Sequence, residues 1–306
     1  MNKIIKSASI VVALALGLAC GGGGGGGSST PTTITASAGS SGFYSVRIKS
    51  GAKVSDHYSL TPAYSDTITD SSGLTFLTKS GNSIIIATQE SSIVVSELLL
   101  ALEGGQPTGN KLSGDWLGGI YGTADGSTVN GLLGEIKFDN SGNPTFLTHS
   151  TSTGITAFNT SLPVGTLSIN SGNITWGSWV GMTNKDGTKM LLSNAKLVLL
   201  AAKTGTYSTI PAKSYNGAYM YHGNGTDIKA GKSVLTFGAT SVSGVVGTQN
   251  YTWPTVSYSS GNSYIGLNND NKPTPGIEPG FRADSEFFVL VNPSPNHPFF
   301  LVAPLP

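Results

Sequence analysis

From about residue 34 onward, short runs of roughly four to eight residues rich in Val, Ile, Leu, Thr, Tyr and Phe are each closed within a few positions by Gly, Asn, Asp or Ser. Runs of that length and composition suit a pleated strand, and the closing residues suit tight reversals. The stretches Asp139-Asn140-Ser141-Gly142-Asn143, Asp186-Gly187 and Asn224-Gly225 are hairpin signals, because their backbones tolerate the positive φ that short antiparallel connections need. One helix candidate stands out, Ser96–Glu103, stopped by Gly104-Gly105. It is only eight residues long, and the matching segments further along the chain read as strands.

These runs recur in an order. The triplet Ser-Gly-Asn occurs at Ser80-Gly81-Asn82, Ser171-Gly172-Asn173 and Ser260-Gly261-Asn262, roughly ninety residues apart, with a further copy at Ser141-Gly142-Asn143 outside the period. An opening strand with Gly followed by an aromatic appears at Gly42-Phe43-Tyr44, Gly114-Asp115-Trp116 and Gly217-Ala218-Tyr219. A middle strand appears at Leu74–Thr78, Pro144–Thr148 and Val234–Phe237. Two apolar strands close each unit: Ile84–Ala87 or Ile93–Val95 with Leu98–Leu102, Met190–Leu192 with Leu197–Leu200, and Phe287–Val291 with Phe299–Val302. The sequence thus predicts an all-β chain of tandem small antiparallel β-barrel or sandwich modules at 34–104, 110–203 and 213–306. A β-propeller with two four-stranded blades per repeat satisfies the same pattern. The Gly-x-Trp of Gly114-Asp115-Trp116 resembles the first strand of lipocalin-like barrels.

Charge narrows the function classes. With 17 Lys and Arg against 16 Asp and Glu, the net charge of +1 gives no footprint for a nucleic-acid backbone, and nucleic acid is excluded as a partner. Arg47 and Arg282 are the only arginines. Charged residues are 11% of the chain, against about 25% in an average soluble domain, so solubility rests on Ser, Thr, Asn and Gly.

The first twenty residues carry an address. Lys3 and Lys6 make Met1–Lys6 a short positive segment, and Ile10–Leu16 is an apolar run of export-signal length. It ends at Gly17-Leu18-Ala19-Cys20, which resembles the lipobox of bacterial lipoproteins. That family carries an aliphatic residue three before the Cys, where this chain has Gly17 and places Leu16 one position earlier. The resemblance implies a signal peptide over 1–19 and acylation of Cys20, the only cysteine, so no intramolecular disulfide forms. Gly21 in place of an aspartate implies passage to the outer membrane, on its periplasmic face or at the cell surface. Residues 20–33 form a Gly/Ser/Thr tether with a root-mean-square reach of roughly 20 Å.

No motif supports catalysis. Ser50-Gly51-Ala52-Lys53, Ser193-Asn194-Ala195-Lys196 and Lys203-Thr204-Gly205 match fragments of the penicillin-binding signature, but no Ser-Asp-Asn accompanies them. His57, His149, His222 and His297 lie too far apart in sequence to suggest a zinc site, so no metal or other cofactor is expected. Asp139-Asn140 and Asn268–Asn271 are oxygen-rich but read as turns, since neither has the spacing of a calcium loop. Glu278, Asp284 and Glu286 are the carboxylates available to a glycan hydrolase. Period-two alternation puts Tyr215, Gly217, Tyr219 and Tyr221 on one strand face, where Tyr215, Tyr219 and Tyr221 are candidate ligand contacts if exposed and core residues if not. Trp176, Trp179 and Trp253 read as core or lid residues. The expectation is a non-enzymatic, lipid-anchored envelope protein, on the membrane through its N-terminal lipid, whose β-modules bind a protein partner, a polysaccharide or a small apolar ligand. A structural surface spacer and a glycan-active hydrolase are the alternatives.

Overall fold

The structure is a computed structural model that describes residues 33–35, 42–50, 59–69, 73–78, 81–90, 96–107, 112–123, 130–147, 155–223, 227–247, 249–268, 277–293 and 298–305. The leader, Cys20 and most of the tether lie outside the described residues. From Pro31 to Pro306 the chain is one compact unit. It is all-β, with three antiparallel sheets.

A two-stranded ribbon pairs β1 (Thr33–Thr35) with β4 (Thr67–Thr69). The first sheet joins β2 (Phe43–Lys49), β3 (Ser59–Ser65), β5 (Thr75–Phe76), β6 (Ile84–Gln89) and β7 (Glu97–Glu103) in the order β3-β2-β7-β6-β5. The second contains β8 (Gly114–Gly122), β9 (Asn130–Phe138), β10 (Pro144–Leu147), β11 (Ser168–Asn170), β12 (Asn173–Trp176), β13 (Trp179–Thr183), β14 (Lys189–Ser193) and β15 (Leu197–Lys203). Its order is β10-β9-β8-β15-β14-β13-β12-β11, and the helix α1 (Ile155–Ser161) packs on β9. The third contains β16 (Ser214–Gly223), β17 (Asp227–Phe237), β18 (Val242–Val246), β19 (Gln249–Trp253), β20 (Thr255–Ser259), β21 (Tyr264–Asn268), β22 (Ile277–Ala283), β23 (Phe287–Asn292) and β24 (Phe299–Pro304). It runs β19-β18-β17-β16-β24-β23-β22-β21-β20. These two larger sheets curl into nearly closed barrels.

All three sheets obey one rule: the first strand pairs with the last, so β2–β7, β8–β15 and β16–β24 are adjacent, and meanders extend from either side. The closing pairs read from the sequence are the hairpins β6–β7, β14–β15 and β23–β24. Their central residues are apolar at successive positions because both faces are buried. In β7, Leu98, Leu100 and Leu102 enter a core shared by all three sheets, while Leu99 and Ala101 enter the first sheet's own core. In β15, Val198 and Leu200 face the shared core and Leu197 and Leu199 face the second barrel's interior. In β23, Phe287 and Val289 face the shared core and Phe288 and Leu290 the third interior. A run buried on both faces has no alternation to display. That is why Ser96–Glu103 passes for a short helix in sequence and is strand β7 in the fold.

The Ser-Gly-Asn period misleads in one unit. In the second and third sheets the triplet turns β11 into β12 and β20 into β21, four strands from the end, with Ser171, Gly172, Ser260, Gly261 and Asn262 at positive φ. In the first sheet it precedes β6, the strand before last, because this sheet has fewer strands on that side. The middle-strand landmark is likewise not equivalent: it falls in β5, β10 and β17, which occupy different places in their sheets.

The sheets meet in a ring. Strand β2 packs on β13, β8 and β9 on β22 and β23, and β16 and β17 on β6, so the opening arm of each sheet covers the closing arm of another. Around the centre, Tyr44, Val46 and Leu100 meet Leu117, Leu191 and Leu200 and also Met220, Val289 and Phe300.

Candidate functional site

At one end of the shared core the turns before the three next-to-last strands bring polar groups together. Lys189, first residue of β14, is 3% exposed in its side chain, and its Nζ donates to Asp284 at 2.8 Å and Glu286 at 3.1 Å. Ser83, just before β6, donates to the other oxygen of Glu286 at 2.7 Å. Each sheet contributes one turn to this cluster. Burial pulls the Lys189 ammonium down, but hydrogen bonds and charge from Asp284 and Glu286 outweigh it and leave it above its ordinary value. The two carboxylates are thereby committed to one ammonium. The side chain of Glu278 lies outside the described residues.

The barrels are filled. Trp116, Trp176, Trp179 and Trp253 are all buried, and Trp116 and Trp176 donate their indole N–H to the carbonyls of Leu112 and Gly165. Phe158 of α1 closes the second interior, where a Cβ on Gly134 would sit 2.2 Å from its ring.

The tyrosine row follows the alternation expected of it, but both faces of β16 are covered from Gly217 to Tyr221. Tyr215, Tyr219 and Tyr221 point into the third barrel's core, and Ala218 and Met220 on the opposite face point into the shared core. These tyrosines form no exposed platform, since this length of β16 lies between two cores. Tyr219 and Tyr221 are interior. Tyr215 is the exception in one respect, because its edge borders a cleft.

That cleft, about 240 Å³, lies between the first and third sheets and is lined by Leu77, Asn82, Lys213, Ser214, Tyr215, Asn216, Pro304 and Leu305. Tyr215 is held edge-on against Phe237 and Phe288 with centroids 5.6 Å away in each case, and its hydroxyl donates to the Pro211 carbonyl at 2.9 Å. Burial raises its pKa, so it stays a neutral donor. Ser214 and Asn216 flank it on the outward face of β16, and Lys213 precedes the strand with Nζ 5.3 Å over the Tyr215 ring. Asn82 reaches the cleft from the turn before β6. The result is an apolar floor under a rim of amides, a hydroxyl and one ammonium.

The other motifs resolve into turns and linkers. Ser193 is buried and accepts or donates to the Tyr44 hydroxyl, and Asn194 Oδ1 accepts from the backbone N–H of Lys196 and Leu197, so Ser193–Lys196 is a hairpin turn. Ser50 bonds Ser96, while Lys53 lies outside the described residues. Lys203 rests over the Trp116 ring, and Gly205 crosses the Gly261 turn of the third sheet. Asp139 closes its own turn by accepting from the Asn143 side chain and from the backbone N–H of Asn143 and Ser141, which holds its carboxyl below the usual range. His222 sits on β16; His57, His149 and His297 lie outside the described residues. Among the described residues no three His, Cys, Asp or Glu side chains are grouped to hold a metal ion.

The sequence pointed to Tyr215 but not to Lys213, Asn82 or Asn216. Exposed Ser214 and Asn216 on either side of buried Tyr215 carry a local signal, whereas the approach of Asn82 depends on how sheets pack. No known protein-family model matches the chain, and no curated protein matches it.

Proposed function

We propose that the protein is a lipid-anchored cell-envelope protein, held on the outer membrane through Cys20, that binds its ligand on the outside of a rigid β body without catalysing a reaction. The carrying observation is the cleft between the first and third sheets, which joins an apolar floor to a polar rim on two elements fixed by a common core. A site built on packed strands needs little reordering to bind. The packed interiors favour surface recognition of a polysaccharide or a partner's segment over a small apolar ligand held inside a barrel. The ion pairing of Asp284 and Glu286 with Lys189 supports binding over glycan hydrolysis, whose two carboxyl groups must flank a scissile bond.

A spacer role draws on a different observation, the shared core that makes three sheets one stiff body. The two readings separate in a binding experiment on the full chain. Immobilised envelope polysaccharide titrated with the protein gives saturable retention under the binding reading, reduced by Asn216→Trp in the cleft. Retention that never saturates, or that ignores the substitution, leaves the spacer. The anchor is tested by fractionation: Cys20→Ala moves the protein out of the membrane fraction, and unchanged partitioning refutes lipid attachment.

A further inference from the structure

We propose that the cleft between the first and third sheets receives a single sugar ring bearing a carboxylate, with Lys213 as its counter-ion; this rests on the binding reading above. Among the described residues, Lys213 is the only charged one in the lining. Its Nζ lies 5.3 Å over the Tyr215 ring, and among the described residues no carboxylate lies within ion-pair distance of it. The base of the side chain is fixed, since the Lys213 carbonyl accepts from the Phe237 N–H at 2.9 Å. An ammonium at the mouth of a cleft, with no carboxylate beside it among the described residues, attracts an anion that enters there.

The remaining lining specifies what kind of anion. Leu77, Leu305 and the edge of the Tyr215 ring form an apolar floor for the C–H groups of a sugar ring, and Asn82, Ser214 and Asn216 offer donors and acceptors to hydroxyls around it. A volume of about 240 Å³ is below the usual range of roughly 300–1,000 Å³ for drug-sized ligands, so one ring enters and the rest of a polymer must lie outside. The outward residues of the adjoining strands, Thr236, Ser243 and Val245, give that remainder an uncharged track. Charge count favours carboxylate over phosphate. A phosphate carries more than one charge at neutral pH, and the two arginines are engaged elsewhere, Arg47 with Glu97 and Arg282 with the Ser208 and Asp284 carbonyls.

The test titrates the full mature chain in detergent with an oligogalacturonate, with a neutral oligogalactoside of equal length and with inorganic phosphate, by calorimetry at low and high salt. The oligogalacturonate is expected to bind saturably and to weaken as salt rises. Lys213→Met is expected to lose about tenfold in affinity and Lys213→Arg no more than a few-fold. Both substitutions are at an exposed position, and near-ultraviolet circular dichroism confirms the fold. Equal binding of the neutral oligosaccharide, or an unchanged affinity in Lys213→Met, overturns the carboxylate assignment; if Asn216→Trp still abolishes that binding, the cleft remains the site. Displacement of oligogalacturonate by equimolar phosphate also overturns it, marking a general anion site. Absence of saturable binding by every saccharide defeats this inference, and defeats the broader reading as well only if immobilised envelope polysaccharide also fails to retain the protein.

Discussion

The Nζ of Lys189 lies 2.8 Å from the carboxylate of Asp284, joining the second sheet to the third where Ser83 of the first also arrives. The partners are unequal in their access to water: Lys189 is 3% exposed in its side chain, Asp284 39% and Glu286 23%.

That inequality predicts an asymmetric response to mutation. Neutralising both acids, Asp284→Asn with Glu286→Gln, leaves an ammonium buried without a counter-charge and is expected to cost about 3–5 kcal/mol. Lys189→Met leaves two carboxylates able to rehydrate and fills the site with an apolar chain of similar length, so it is expected to cost about 2 kcal/mol or less. Urea denaturation of the two variants measures the difference. Equal losses would mean that the cluster is a surface network rather than a buried clamp.

A second prediction concerns alkaline pH. The Tyr44 hydroxyl is bonded to Ser193 across the seam between the first and second sheets, and burial pushes its pKa up from 10.0 to about 12. A raised tyrosine value means that the folded state holds its proton more tightly, so this contribution is intact below pH 10 and declines as pH rises towards 12. Lys189, also raised from 10.5, acts in the same direction, its contribution present below that value and lost above it. Stability is therefore expected to fall across pH 10–12, and Tyr44→Phe is expected to flatten part of that fall while costing about 1–2 kcal/mol at neutral pH from the bond it removes. Urea midpoints measured from pH 8 to 12 check both.

The fold and the candidate site differ in how far sequence reveals them. Strand content, the aromatic opening strands β2, β8 and β16 and the closing hairpins are local properties, written in composition and in residues such as Gly42 and Gly114 at positive φ. The alternation of Tyr215, Tyr219 and Tyr221 with Ala218 and Met220 was legible too. What it meant was not, because alternation separates two faces without saying what covers each. The shared core supplies that cover. Its contacts join Tyr44, Leu200 and Met220, which are far apart in the chain, and no local pattern encodes them. The cleft has the same origin, since Asn82 and Asn216 come together only when two sheets dock.

Shared burial also predicts that the third sheet does not stand alone. Residues 213–306 expressed by themselves would expose Ala218, Met220, Phe281, Phe287, Val289, Val291, Phe300 and Val302, all buried in the whole chain. An exposed apolar face of that kind drives association. The fragment is expected to be insoluble or to elute as large aggregates, whereas the full chain melts in one transition by both tryptophan fluorescence and circular dichroism. A monomeric, cooperatively folded fragment would show that the sheets are independent.

A close seam lies between the second and third sheets, and it depends on a residue without a side chain. A Cβ on Gly131 of β9 would stand 2.7 Å from the Phe299 carbonyl oxygen and 2.9 Å from that of Asn292, both backbone atoms of the third sheet. A flexible side chain yields to such an intrusion; paired strands do not, so the sheets must part. Gly131→Ala is expected to cost about 1–3 kcal/mol, the range for overpacking a tight core. Gly165→Ala provides the comparison, since a Cβ there meets nothing within 4 Å, and it is expected to change stability by well under 1 kcal/mol. Thermal melts of the two variants decide the matter. If Gly131→Ala melts with the unmodified protein, the contact between β9 and the closing hairpin of the third sheet is looser than this packing requires.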